Sequence, residues 1–196
     1  RADWYVLVEV ETAQHRPDLH EVVGDLLADA MEAELITDGV VAQSETQAAE
    51  LRKLREGVSE AQRAEGFGLR HDVAVPVDRL VDFIRTGTAL VAETVPAGRV
   101  VAFGHVGDGN VHFNVQSPVG DPQAAALREV AAALGDRVHD LAVAMGGTFS
   151  AEHGVGRLKR EALARHRPLK HELGHALKRW LDPHGIMNPG VVFADD

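Results

Sequence analysis

Gly104-His105-Val106-Gly107-Asp108-Gly109-Asn110-Val111-His112-Phe113-Asn114 is close to symmetrical about Asp108-Gly109. An Asp-Gly pair between short apolar stretches is the strongest local signal for a two-residue β-hairpin, because both turn positions need positive φ. Strands are therefore expected over 100–105 and 111–116. That register would set His105 directly opposite His112, on one face of the sheet, with Cβ atoms about 4.5 to 5.5 Å apart. Two imidazoles so placed could share one divalent ion at about 2.0 to 2.1 Å.

A third ligand is sought in Ala151-Glu152-His153-Gly154-Val155-Gly156, a turn flanked by Gly146-Gly147 upstream. Glu152 is the best placed carboxylate, and two histidines with one carboxylate leave a coordination position open, as catalytic rather than structural sites do. His153 would then be free to move a proton. Asp108 reads first as turn chemistry and second as support for the two histidines.

The remaining elements are read outward from this hairpin. Residues 4–11 and 40–42 read as strands, as does 72–77 with an edge-type Pro76. A helix is expected from Pro17 to about Leu35, with Val22, Val23, Leu26, Leu27, Ala30 and Met31 on one side. Ser44-Glu-Thr-Gln47 has capping-box spacing and opens another helix. Amphipathic or Ala-rich helices follow over 77–91, 122–145 and 169–181. Hairpins mixed with helices fit an α+β fold, one antiparallel sheet with helices packed on one face, better than a doubly wound parallel sheet.

The chain has 196 residues, enough for one domain with a real core. Its 20 basic residues are scattered among 30 acidic ones, for a formal charge of -10, so no basic footprint for nucleic acid exists. Cysteine is absent, which rules out disulfides and thiolate metal sites and leaves His and carboxylate as ligands. No apolar run approaches the roughly 20 residues of a transmembrane helix, and a cytoplasmic location is expected, with peripheral membrane association left open. The chain opens on strand-like residues without an initiating Met or a signal sequence, and reads as a segment of something longer. Gly104-x-x-Gly107-x-Gly109 is not the dinucleotide-binding spacing and joins strand to strand, so it carries no nucleotide reading.

His171-Glu172-Leu173-Gly174-His175 is a literal match to the H-E-x-x-H pattern of zinc metallopeptidases. On a helical wheel Leu169, Leu173, Ala176, Leu177 and Trp180 form the apolar stripe, which leaves His171 and His175 on the other side, facing solvent. A metallopeptidase and a non-catalytic module stapled by a metal are the two rival readings.

Three motifs in order, Gly104 to Asn114, Ser150 to Gly156 and Met187-Asn188-Pro189-Gly190, resemble the C-terminal domain of FAD-linked oxidases of the vanillyl-alcohol oxidase superfamily. The nearest branch contains D-2-hydroxyacid dehydrogenases, among them D-lactate dehydrogenases, the glycolate oxidase FAD subunit and D-2-hydroxyglutarate dehydrogenase. The resemblance implies a ferredoxin-like substrate domain, 1–196, covering the flavin of an FAD held mainly by a separate N-terminal domain absent from this chain.

It further implies that His105, His112 and Glu152 hold a divalent metal, usually Zn2+, that His153 is the catalytic base, and that Asn114 lies at the substrate. Leu54-Arg55-Glu-Gly-Val-Ser59 resembles a helix carrying a substrate-carboxylate arginine and a hydroxyl residue. Arg55 is also unusual as a guanidinium within the Leu51, Leu54, Val58 stripe, where it needs an anionic partner. Arg70 matches a basic position near the substrate, although Lys is frequent there. Asn188 belongs to the terminal turn that approaches the flavin, with Val191 where the family commonly has Lys. The implied reaction oxidises a small D-2-hydroxy acid to the 2-oxo acid, passing hydride to FAD, with an unknown electron acceptor downstream. A fragment without its flavin domain is expected to be inactive.

Overall fold

The computed structural model of the protein describes residues 2–16, 18–117, 121 and 123–194. Pro17 and Pro122, read above as helix starts, lie outside the described residues. The chain divides into two compact units, 1–61 and 62–196.

The first unit holds α1 (Leu19–Glu32), α2 (Glu45–Glu56) and the start of α3 (Val58–Ala64). Helix α2 begins where its sequence says it should. Ser44 Oγ accepts the Gln47 amide N–H at 3.3 Å, while the Gln47 side chain accepts the N–H of Gln43 at 2.7 Å. These contacts satisfy amide groups near the helix start that its own hydrogen-bond ladder leaves unpaired. The expected strands over 4–11 and 40–42 do not form: both segments run without ladder pairing. Alternating β-branched residues supply only a tendency; a strand needs a neighbour to take its N–H and C=O groups, and the described residues of the first unit form no strand that could serve as one.

The second unit contains β1 (Gly68–Ala74), α4 (Leu80–Thr94), β2 (Arg99–His105), β3 (Asn110–Gln116), α5 (Gln123–Glu129), α6 (Ala131–Ala144), α7 (Arg160–His166) and α8 (Pro168–Leu181). The three strands form an antiparallel sheet in the order β1-β3-β2. The architecture is α+β, as expected. Val73, Val111, Phe113 and Val115 point to one side, where Phe83, Ile84 and Val91 of α4, Leu127 of α5, and Leu134, Val138 and Ala142 of α6 complete a core. Each of the Val, Leu, Ile and Phe side chains among these, once buried, contributes about 1.5 to 3 kcal/mol. Gly87 is needed where α4 crosses the sheet, because a Cβ there would meet the Phe113 ring at 2.8 Å.

The hairpin corrects the register read from the sequence. Residues Val106–Asp108 form a single 3-10 turn and Gly109 follows at φ +72°, so the loop holds four residues and closes on the pair His105–Asn110. His112 faces Phe103, not His105. The Asp108 side chain accepts the Asn110 N–H at 3.0 Å, and Gly109 N–H reaches the Val106 carbonyl at 3.2 Å. These bonds tighten the turn beyond a plain Asp-Gly hairpin. Gly109 also sits so close to the Val75 carbonyl that any Cβ would clash at 1.9 Å. The offset between strands is two residues, which preserves the side chains' face. His105 and His112 are thus diagonal neighbours on one face.

Helix α8 corrects a second expectation. Leu173 is 63% and Trp180 77% exposed, whereas His171 and His175 are half-buried against Phe193, with ring centroids 5.5 and 5.4 Å away. Gly174 explains the inversion. A Cβ at that position would lie 2.7 Å from the Phe193 ring, so the glycine opens a groove between the two histidines that a side chain would fill. The single long helix expected over 122–145 is also interrupted at Val130, between α5 and α6.

Behind the sheet, His139 of α6 lies edge-on to His71 at 5.9 Å and against Phe149 at 5.9 Å, and its Nδ1 has no hydrogen-bond partner. Burial, then the nearby His71 and Lys159, push the His139 imidazole down to about 4. Burial likewise lowers His71, against the opposing effect of its bond to the Phe113 carbonyl. Both histidines are therefore neutral in the folded protein at pH 7. Because their folded values lie below the unfolded value near 6.5, the unfolded chain binds more protons as pH falls. Stability is full above about pH 6.5 and declines from there toward pH 4, each group contributing at most about 1.4 kcal/mol per pH unit. Thermal unfolding between pH 7.5 and 4.5 checks this, and His139→Phe should flatten part of the acid slope. An unchanged slope would remove His139 from the account.

Candidate active site

Strand alternation sends every second residue to the face away from the helices. On β1 these are Arg70 and Asp72, on β3 Asn110, His112, Asn114 and Gln116, and on β2 Phe103 and His105. A polar face on a buried strand is costly unless each group is paired, and here most are. Asn114 Nδ2 donates to Gln62 Oε1 at 2.9 Å, and Gln116 Nε2 donates to the carbonyls of Gln62 and Gly66.

A turn lies across this face. Thr148 and Ala74 exchange backbone hydrogen bonds at 2.8 and 3.1 Å, extending the edge of β1. The chain then bends through residues 150–156, closed by Ser150 Oγ donating to the Gly154 carbonyl at 2.6 Å, with Gly154 and Gly156 at positive φ. The bend carries Glu152 and His153 over His112. Their meeting point is the carboxylate of Asp72, which is 3% exposed. Its Oδ2 accepts the amide N–H of Glu152 at 2.9 Å and of His153 at 2.8 Å, and its Oδ1 accepts Asn110 Nδ2 at 3.0 Å. Burial alone would raise the Asp72 carboxyl. The amides of His153, Glu152 and Asn110 together with the His153 ring outweigh it and hold the group below the usual carboxylate range. Asp72 is therefore an anion at neutral pH.

Two carboxylates and the His153 ring gather around His112. Its Nδ1 is 3.8 Å from Asp72 Oδ1, its Nε2 is 3.8 Å from Glu152 Oε2, and the His153 ring stacks on it at 5.6 Å and 20°. His153 Nδ1 stands 3.7 Å from Asp72 Oδ2. Among the described residues, the group whose ligand atoms all lie within 4.8 Å of one another is Asp72, His112 and His153.

The expected ligands are thus partly brought together. His112 and Glu152 face each other at 3.8 Å, close to the separation of about 3.3 Å that two donors 2.0 to 2.1 Å from one tetrahedral ion would have. The donor chemistry, imidazole nitrogen plus carboxylate oxygen without thiolate, suits a divalent cation of the zinc type. His105 is exposed on the same face, a diagonal neighbour of His112 rather than its opposite, and a diagonal pair is about 7 to 8 Å apart at Cα. His153, the expected base, is 67% exposed on its side chain.

Arg70 is exposed and pairs with Asn114 in the register. Asn188 is exposed at φ +48°, a backbone region Asn tolerates, and the Gly190 carbonyl two residues on accepts a hydrogen bond from Arg160 at 3.3 Å. Arg55 and Ser59 belong to the first unit, at the end of α2 and the start of α3, and both are exposed. Arg55 is therefore not a guanidinium forced into an apolar core.

Sequence reading missed Asp72, Asn110 and Lys159, whose Nζ donates to the Asp72 carbonyl at 3.4 Å. The available signal was an acidic residue running directly into an apolar stretch, Asp72 before Val73-Ala74-Val75. Such a charge is rarely buried without a dedicated set of donors.

A model of the family described as FAD linked oxidases, C-terminal domain, matches residues 1–192. The chain belongs to that family. Among its relatives this oxidase C-terminal domain is 33% identical to "D-2-hydroxyglutarate dehydrogenase, mitochondrial" of Danio rerio over 194 residues, 98% of this chain and 35% of the relative. It is 38% identical to "D-2-hydroxyglutarate dehydrogenase" of Xanthomonas citri pv. viticola over 167 residues, 83% of this chain and 34% of that protein. A bovine relative, also "D-2-hydroxyglutarate dehydrogenase, mitochondrial", is 34% identical over 187 residues, 95% of the chain and 33% of the relative. The chain thus spans about a third of the length of these relatives. No helix among the described residues is long and apolar enough to cross a membrane.

Proposed function

We propose that this oxidase C-terminal domain supplies the substrate and metal side of a flavin-dependent dehydrogenase that oxidises a D-2-hydroxy acid to its 2-oxo acid. The observation that carries the reading is the convergence of His112, Glu152 and His153, from a strand and a distant turn, on one polar sheet face. Family membership and the names of the relatives favour a substrate of the 2-hydroxyglutarate class over lactate or glycolate.

When bound, FAD supplies the hydride acceptor and a divalent cation, taken to be Zn2+, supplies Lewis acidity. His112 and Glu152 would hold the cation, with His105 reaching in from β2. His153 takes the substrate hydroxyl proton, imidazole being the side chain most often used as a general base. Its exposure leaves it room to meet an incoming hydroxyl. Arg55, Ser59 and Arg70 bind the substrate carboxylates, Asn114 orients the substrate, and the Asn188 turn borders the flavin. The flavin is held chiefly by the protein's own N-terminal FAD domain, and a separate electron acceptor reoxidises it.

The deciding experiment is turnover of D-2-hydroxyglutarate, D-lactate and glycolate by the full-length flavoprotein with an artificial electron acceptor, before and after chelation. The expected result is preference for D-2-hydroxyglutarate, loss of turnover on chelation, and recovery with Zn2+. Turnover unaffected by thorough metal removal would overturn the metal reading, and cleavage of casein without oxidation of any hydroxy acid would favour the peptidase instead.

A further inference from the structure

We propose that Asp72 is a positioning residue that assembles the two halves of the site, one carboxylate holding His112 from the sheet and the Glu152–His153 turn at once. The proposal rests on the functional reading above. Asp72 comes from β1, whereas His112 is on β3 and Glu152 lies 80 residues further along the chain.

Asp72 reaches its neighbours by different edges. On the turn its hydrogen bonds go to main chain, from the N–H of Glu152 at 2.9 Å and of His153 at 2.8 Å, and the His153 ring Nδ1 stands 3.7 Å from it. That pins the backbone of both residues while leaving the Glu152 carboxylate to face His112 Nε2. On the sheet it lies 3.8 Å from His112 Nδ1, the ring edge opposite to Nε2, which faces Glu152 at 3.8 Å. A carboxylate at Nδ1 favours the tautomer that carries its proton there, leaving the Nε2 lone pair for a cation beside Glu152.

Asp72 could instead be a ligand itself, since its oxygens fall in one group with His112 and His153. The hydrogen bonds argue against this. Both oxygens already accept from amides at 2.8 to 3.0 Å, and the side chain is 3% exposed, while Glu152 is 47% exposed. Direct coordination would compete with three short bonds, two of which hold the turn. Glu152 can coordinate without giving up any of them.

Two measurements test the proposal. In the metal-free full chain, the amides of Glu152 and His153 should exchange slowly even though their side chains are exposed, and Asp72→Asn should speed them by about tenfold or more while Val73 and Val111 stay protected. In the same variant, Zn2+ titration should give one ion per chain with affinity reduced by about 10- to 100-fold, the usual cost of losing a partner that orients a ligand. Asp72→Glu should not restore it, because the longer side chain moves the acceptor away from the two amides.

Rapid exchange of both amides in the wild type would overturn the clamp without any variant. Zn2+ binding in Asp72→Asn equal to wild type would also overturn it, and binding abolished as fully as by His112→Ala would make Asp72 a ligand instead. A wild type that takes up no Zn2+ while its two amides are protected would sink the metal reading and the His112 half of this proposal. That result differs from every failure of the clamp alone.

Discussion

His112→Ala is expected to strip the divalent cation from the protein, with metal content after gel filtration falling to background. The Nε2 of His112 is the donor nearest Glu152, and its ring is framed by Asp72 and His153. If the binding free energy of about 10 to 16 kcal/mol typical of structural zinc is spread over four ligands, one ligand is worth roughly two to three powers of ten in affinity. On the metal reading proposed above, His105→Ala should act in the same direction. His171→Ala should leave metal content unchanged. The half-buried His171 and His175 pack on Phe193 instead of framing an open coordination position. Retained metal in His112→Ala with loss in His171→Ala would transfer the site to α8 and revive the peptidase reading.

His153→Ala is expected to keep the metal and lose turnover. Removing a positioned general base costs typically about 10²- to 10⁴-fold in rate, and because the side chain is more exposed than its neighbours, little packing is lost with it. The comparison should be made in the full-length flavoprotein, with kcat falling, KM changing less, and metal content at the wild-type level. Loss of the metal together with activity would make His153 a ligand, a role open to it through its grouping with Asp72 and His112. Unchanged kcat would remove it from the chemistry.

Much of the α+β architecture was legible because local chemistry and tertiary need agree. The hairpin strands, the Ser44 cap and the last helix are each written in residue spacing that no other element satisfies as well. The failures have a common cause. Residues 4–11 alternate like a strand, yet alternation cannot supply a hydrogen-bonded neighbour. The wheel of α8 placed Leu173 and Trp180 inward, but the notch at Gly174 that receives Phe193 involves a residue 19 positions away. In the hairpin the side chain of Asp108 closed a four-residue turn, so His112 moved from opposite His105 to diagonal.

The chain's own order of residues determined which chemistry is available: imidazoles and carboxylates without thiols, two His-bearing motifs, and a sheet with one apolar and one polar face. These follow from side-chain identity and the two-residue period of a strand, which are local properties. Tertiary structure decided which donors meet. Asp72 stands 38 residues before Asn110 and 80 before Glu152, and its role exists only because β1 pairs with β3 and the 148–154 turn folds back on β1. A buried charge chooses its partners by the donors within about 3 Å of it, and that neighbourhood is a property of the fold rather than of the segment.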